Sequence, residues 1–125
     1  MCLTVDKEKF KIDIAQEDIV CYKVLEKYGR HIISPYCGFT YEIGKEYKTR
    51  IKPRFKESYY EINEGFHSFL NEEVAKREKR LIEDFFFTYV CFLCIIPKGS
   101  RIVYGKYGSE DAIVSEAIKI IEEIQ

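Results

Sequence analysis

Apolar positions along this chain fall in unbroken blocks or alternate with polar ones, and at one place only do they recur at helical spacing. The longest block, Phe85 to Ile96, has no helical stripe and is dense in aromatic and β-branched residues, which predicts a central strand. Residues 18 to 26, Asp-Ile-Val-Cys-Tyr-Lys-Val-Leu-Glu, are apolar on both faces as an interior strand requires, with Lys23 the exception. His31 to Tyr36, ended by Pro35, and Phe39 to Ile43, broken by Gly44, predict two short strands facing the surface. Tyr59 to Phe66, Arg101 to Tyr104 and Ala112 to Ile124 complete the set. In the last of these, alternation at Ile118 and Ile120 favours a strand over a short helix ended by Glu122-Glu123. Pro97 to Ser100 is a turn and Gly105 to Asp111 a turn-rich loop; the basic stretch Lys45 to Phe55, interrupted by Pro53, fits a solvated edge.

The helical spacing lies after Asn71, a good N-cap followed by Glu72 and Glu73 at the positive end of the helix dipole. Val74, Leu81 and Ile82 would face the core and Lys76, Arg77, Lys79 and Arg80 the water, with the helix stopping near Asp84. One main helix, six or seven strand candidates and no repeated strand-helix alternation predict an α+β domain with a mostly antiparallel sheet of about six strands. No linker composition or internal repeat divides residues 1–125, so a single domain is expected.

Composition narrows the function. A chain of 125 residues with 46% hydrophobic and 15% aromatic residues can bury roughly two-thirds of its unfolded surface around one core. Twenty basic against 21 acidic residues leave a net charge of -1, which argues against nucleic acid and anionic membranes as partners. The longest apolar run is about half of the roughly 20 residues that a spanning helix needs. Charges near the N-terminus occupy the place of a signal peptide's apolar region, and an odd count of five cysteines fits reduced thiols; both point to a cytoplasmic protein. Tyrosines and phenylalanines beyond core needs fit an interface, including one between copies of the chain in a homo-oligomer.

Cys91 and Cys94 have Cys-x-x-Cys spacing, but residues three apart on a strand point to opposite faces, so two buried hydrophobes and no metal are expected. A thiol nucleophile would need Cys37 beside His31 or His67. Gly65-Phe66-His67-Ser68-Phe69, leading from a strand to the helix, is the best candidate site, because such junctions place side chains and free amides along clefts; the plainer reading gives His67 a structural hydrogen bond and Ser68 a capping role. Lys98 and Arg101 flank Gly99-Ser100 and could present two cations to a phosphate, although no P-loop context surrounds them.

The succession Val20-Cys21-Tyr22-Lys23-Val24, Gly44-Lys45-Glu46-Tyr47, Gly65-Phe66-His67-Ser68, Ile96 to Ser100 and Ile113-Val114-Ser115-Glu116 looks like a group of small uncharacterised bacterial and phage-encoded domains, a resemblance that covers most of the chain and implies a fold unit without a mechanism. Tyr22-Lys23, Phe66-His67-Ser68, Pro97-Lys98-Gly99 and Glu116 also resemble, in order, the motif succession of ADP-ribosyltransferases. Lys23 stands where that family has Arg or His, and its Ser-Thr-Ser triplet and Glu-x-Glu pair are absent.

Two readings follow. The first is a small intracellular binding or protein-interaction module without a catalytic set and without a cofactor, its partner a small molecule or a protein. The second, implied by the transferase resemblance, is a nucleotide-binding enzyme, degenerate in its motifs, that uses NAD: Tyr22, Lys23, His67 and Ser68 line a pocket and Glu116 polarises a ribose hydroxyl. They part on whether Lys23, His67 and Glu116 converge in one concave pocket.

Overall fold

The computed structural model describes residues 2–35, 38–83 and 88–125. These form β1 (Leu3–Asp6), β2 (Asp13–Ile14), β3 (Ile19–Tyr28), β4 (His31–Ile33), β5 (Thr40–Tyr41), β6 (Glu46–Lys48), β7 (Lys52–Phe55), β8 (Tyr59–Glu64), β9 (Phe66–Phe69), α1 (Glu72–Ile82), β10 (Tyr89–Ile96), β11 (Arg101–Tyr107), β12 (Glu110–Ser115) and β13 (Ala117–Ile124). All thirteen strands join one sheet, whose main path runs β6-β13-β10-β3-β9-β12-β11-β1-β8-β7. Every pairing among the described residues is antiparallel.

The α+β expectation with about six strands is overturned. Strands make up 57% of the described residues, one short helix accompanies them, and the ten-strand path curls into a half-barrel. Segments that look like loops in isolation are strands here because pairing partners supplied by the fold outweigh local propensity. β11 runs straight through Gly105 to Tyr107, and the basic stretch 45–55, read as a solvated edge, supplies β6 and β7, the two ends of the path. The single strand expected over 112–124 is two, separated at Glu116. Phe85 to Phe87, at the head of the expected central strand, lie outside the described residues, as do Asp84 at the expected helix end and Cys37; β10 covers the rest of that block.

Curling lets the sheet bury both of its faces. On the concave side Phe92, Ile96 and Leu25 from one half meet Phe66, Ile102 and Ile113 from the other. Alternate residues of the same strands, Val103, Ala112 and Val114, pack on the opposite face with Leu3, Val5 and Ile62. At about 25 cal/mol per Å² such burial is the main stabilising term of the fold. α1 covers part of the convex face. Asn71 caps it, its side-chain oxygen accepting from the Glu73 and Val74 amides at 2.8 and 3.2 Å. Ala75 is fully buried against Val24, Phe69 and Cys91. Leu81 departs from the expected apolar stripe and is 74% exposed, because the inward face runs through Val74, Ala75 and Ile82. Among the described residues no helix is long and apolar enough to cross a membrane.

Two corners fold the path back on itself. At Gly65 the chain leaves β8, which pairs with β1 and β7, and enters β9, which pairs with β12 and β3. Its φ of +121° is open to glycine alone, and an added Cβ would lie 2.4 Å from Val114 Cγ1. At Glu116 the chain passes from β12 to β13; its amide donates to Arg101 O at 3.0 Å and its carboxylate accepts from the Ile51 amide at 2.9 Å. The ends of the path are blunt: β6 has three residues, and β7 carries Pro53 between Lys52 and Arg54.

Gly65→Ala is expected to cost about 1–3 kcal/mol in backbone strain alone, more with the Val114 clash, and to lower the melting temperature by roughly 5 °C or more. Thermal unfolding followed by circular dichroism checks this; a variant melting with the wild type would free the corner from the constraint.

Candidate functional site

β3 is gripped on one side from Ile19 to Lys27 by β10 and the residue before it, and on the other side only in part. β9 touches it at the single pair Tyr22↔Phe69, and β4 pairs with it from Glu26 onward. The Lys27 amide donates to Thr88 O directly opposite at 2.8 Å, so odd-numbered residues of β3 turn their backbone groups toward β10 and even-numbered ones toward β9 and β4. At Val24, between those two contacts, no strand pairing continues on the side that faces β9 and β4. The sheet is split at this point.

Lys23 bridges the split. Its side chain is on the concave side, the residue is 8% exposed, and its ammonium donates to the carbonyl of His67, the group that a continued ladder would offer to Val24. The ammonium also lies 5.8 Å from the centre of the Tyr41 ring, within cation–π range. A cavity of about 230 Å³ occupies the gap, walled by Lys23, Val24 and Leu25 on one side and by Gly65, His67 and Phe69 on the other, with Asn63 and Glu78 among its polar lining.

His67 acts on the Gly65 corner as a staple. Its Nε2 lies 2.8 Å from Ile62 O and its Nδ1 3.1 Å from Gly65 O, so the ring spans the bend. A neutral imidazole has one N–H for these two acceptors, and the shorter contact places it on Nε2, donating to Ile62 O. A second proton would serve Gly65 O, yet burial, reinforced by the Lys23 charge, pushes the pKa from its ordinary 6.5 down to about 4.

The residues singled out in the sequence separate into four places. Lys23 and His67 share the split-sheet cavity. Lys98, Arg101 and Glu116 share an open groove with Glu46, Lys48 and Thr49 at another part of the molecule. Ser68 is buried on the concave face, and its hydroxyl, like that of Ser115, has no hydrogen-bond partner among the described residues. Tyr22 packs on the convex face near α1. Ser68 is not a junction residue before the helix, because Phe66–Phe69 is itself a strand. The turn beside Lys98 keeps its amides occupied: Lys98 N–H donates to Asp18 Oδ1 at 2.8 Å, Gly99 N–H to Ala15 O at 2.8 Å and Ser100 N–H to Pro97 O at 3.1 Å. Arg101 Nε is 3.9 Å from Glu116 Oε1. Among the described residues no group of three or more His, Cys, Asp or Glu side chains could hold a metal ion.

No family model, curated protein or solved structure matches the chain. The reading of the cavity therefore rests on its own geometry. Val24, Tyr41 and Asn63 were not singled out in the sequence, whereas Gly65, His67 and Phe69 belong to the stretch named there as the best candidate site. Apolar residues of a strand announce a core, and nothing local marks where a ladder will be interrupted. Lys23, a lone cation inside an apolar strand, was the visible signal.

The depressed His67 pKa fixes a pH dependence. Between about pH 6.5 and 4 the unfolded chain binds a proton that the folded chain refuses, so stability is fully present above 6.5 and falls as the pH drops through that window. The loss reaches about 2 kcal/mol by pH 5. His67→Gln should be less stable than the wild type at pH 7.5 and should lack this component of the acid slope, which denaturant titrations at pH 7.5 and pH 5 would measure. Equal slopes in both proteins would contradict the assignment.

Proposed function

We propose that the chain is a small binding module whose ligand enters the split between β3 and β9. The interruption of the β3 pairing at Val24 carries the reading: a stretch of strand edge borders a cavity rather than another strand, and strand edges are how sheets take up extended amide groups. Leu25, Phe69 and Tyr41 supply apolar walls, and Lys23 and the neutral His67 border the polar end. At about 230 Å³ the cavity is smaller than the roughly 300–1,000 Å³ of sites for drug-sized ligands, so the occupant is fragment-sized. A compact amide-bearing molecule with an apolar body, such as a capped single amino acid or a chain end of a partner protein, fits both demands.

The transferase-like reading has less support. It needs Glu116 beside Lys23 and His67, whereas Glu116 lines the other groove and its carboxylate accepts the Ile51 amide.

Thermal-shift assays with N-acetyl-leucinamide and N-acetyl-phenylalaninamide test the proposal. At a hundred times its dissociation constant a ligand adds about 2.7 kcal/mol, which raises the melting temperature by several degrees. Asn63→Trp, at an exposed position on the cavity lining, should leave the unliganded melting temperature unchanged and abolish the shift. No shift in the wild type, or an equal one in the variant, would count against the site.

A further inference from the structure

A second feature of β3 points to chemistry away from the cavity. Cys21 and Cys94 stand directly opposite each other across β3 and β10, both completely buried, and both on the concave face with Leu25 and Phe92. Counting back by twos from the Lys27–Thr88 hydrogen bond makes Cys21–Cys94 a hydrogen-bonded pair, whose Cα atoms stand about 5.5 Å apart, within the roughly 4.4–6.8 Å that a disulfide spans. Directly opposed Cβ atoms lie about 4.5–5.5 Å apart in a sheet and about 3.5–4.5 Å apart in a disulfide, so closure draws the strands together and leaves the bond strained. Strained bridges are the readily reduced ones. Both thiols are free in the structure.

We propose that Cys21 and Cys94 form a reversible redox site: a peroxide closes a cross-strand disulfide between them, and a small thiol reopens it.

The surroundings assign the two roles. The Cys94 thiol that faces it lowers the Cys21 pKa, as do the neighbouring Ser68 hydroxyl, outside hydrogen-bonding geometry, and the Lys23 charge, while burial opposes them; the Cys94 S–H itself donates to Phe92 O at 3.7 Å. Cys94 is pushed strongly up, first by the Cys21 thiol it faces and then by burial. Cys21 is therefore the attacking thiolate and Cys94 the resolving thiol. The Cys21 thiolate displaces one oxygen of hydrogen peroxide, the O–O bond breaks, and Cys21 becomes a sulfenic acid while the other oxygen leaves as water after taking a proton. The Cys94 sulfur then attacks the Cys21 sulfur, the S–O bond breaks, and the departing hydroxide takes the Cys94 proton as a second water. Two thiols are oxidised and one peroxide is reduced to two waters. Cys91 cannot substitute, because it lies on the convex face beneath α1.

Intact-mass measurement and peptide mapping of the wild-type protein treated with hydrogen peroxide under native conditions test this. A loss of about 2 Da is expected, with one crosslinked peptide joining Cys21 to Cys94, and glutathione should restore both thiols. Cys94→Ser, with circular dichroism to verify its fold, should stop at a sulfenic acid on Cys21 that dimedone traps. Gain of about 16 Da per added oxygen without a crosslink, a bridge through Cys2, Cys37 or Cys91, or no reaction in the folded protein under conditions that oxidise the unfolded chain would each overturn the proposal. A 21–94 crosslink that glutathione leaves intact would overturn its reversibility.

Discussion

The bend at Gly65 is the constraint on which the rest of this structure depends. A ribbon of ten antiparallel strands has a single way to enclose a core without a second layer, which is to turn on itself, and here the turning is localised in the backbone between β8 and β9. Glycine supplies the φ, Val114 fills the space that any side chain would claim, and the His67 ring ties Ile62 to the far side of the bend. Because Val114 also belongs to the convex cluster and its neighbour Ile113 to the concave one, the bend aligns both cores at once.

The split beside β3 follows from the same bend. β9 approaches β3 closely enough for one pair and then diverges, leaving the His67 carbonyl without a strand amide. A buried carbonyl left unsatisfied costs about 1–3 kcal/mol, and the long, flexible side chain of Lys23 satisfies it across the gap. The lysine thus does with its side chain what the ladder does elsewhere with backbone, and in doing so keeps the gap open. His67 occupies a related position: its imidazole is held neutral by burial and by the lysine that its own carbonyl anchors.

How much of this could be read from residues alone differs from element to element. Asn71 and the acidic pair after it marked the helix start, since capping is local chemistry. The helix face was read less well, because Leu81 suits an apolar stripe by spacing while the neighbouring strands receive Ala75 instead. Strand content was underestimated wherever polar residues alternate on an edge or a glycine sits mid-strand: Gly105 looks like a turn, yet it is glycine because Thr4 O would lie 2.6 Å from its Cβ. His67 was visible as special by rarity, and its stapling role needed the bend to be seen. Lys23 was visible as an anomaly in an apolar strand. The opposition of Cys21 to Cys94 was not visible, since register between distant strands is set by the whole sheet and not by either segment.

Pro53 and the brevity of β6 bear on how other molecules can approach. A terminal strand that lacks an amide at its centre, or that stops after three residues, offers no row of backbone groups for a foreign chain to zip onto. What remains for recognition is side-chain surface and interior openings in the ribbon, not the rim of the sheet.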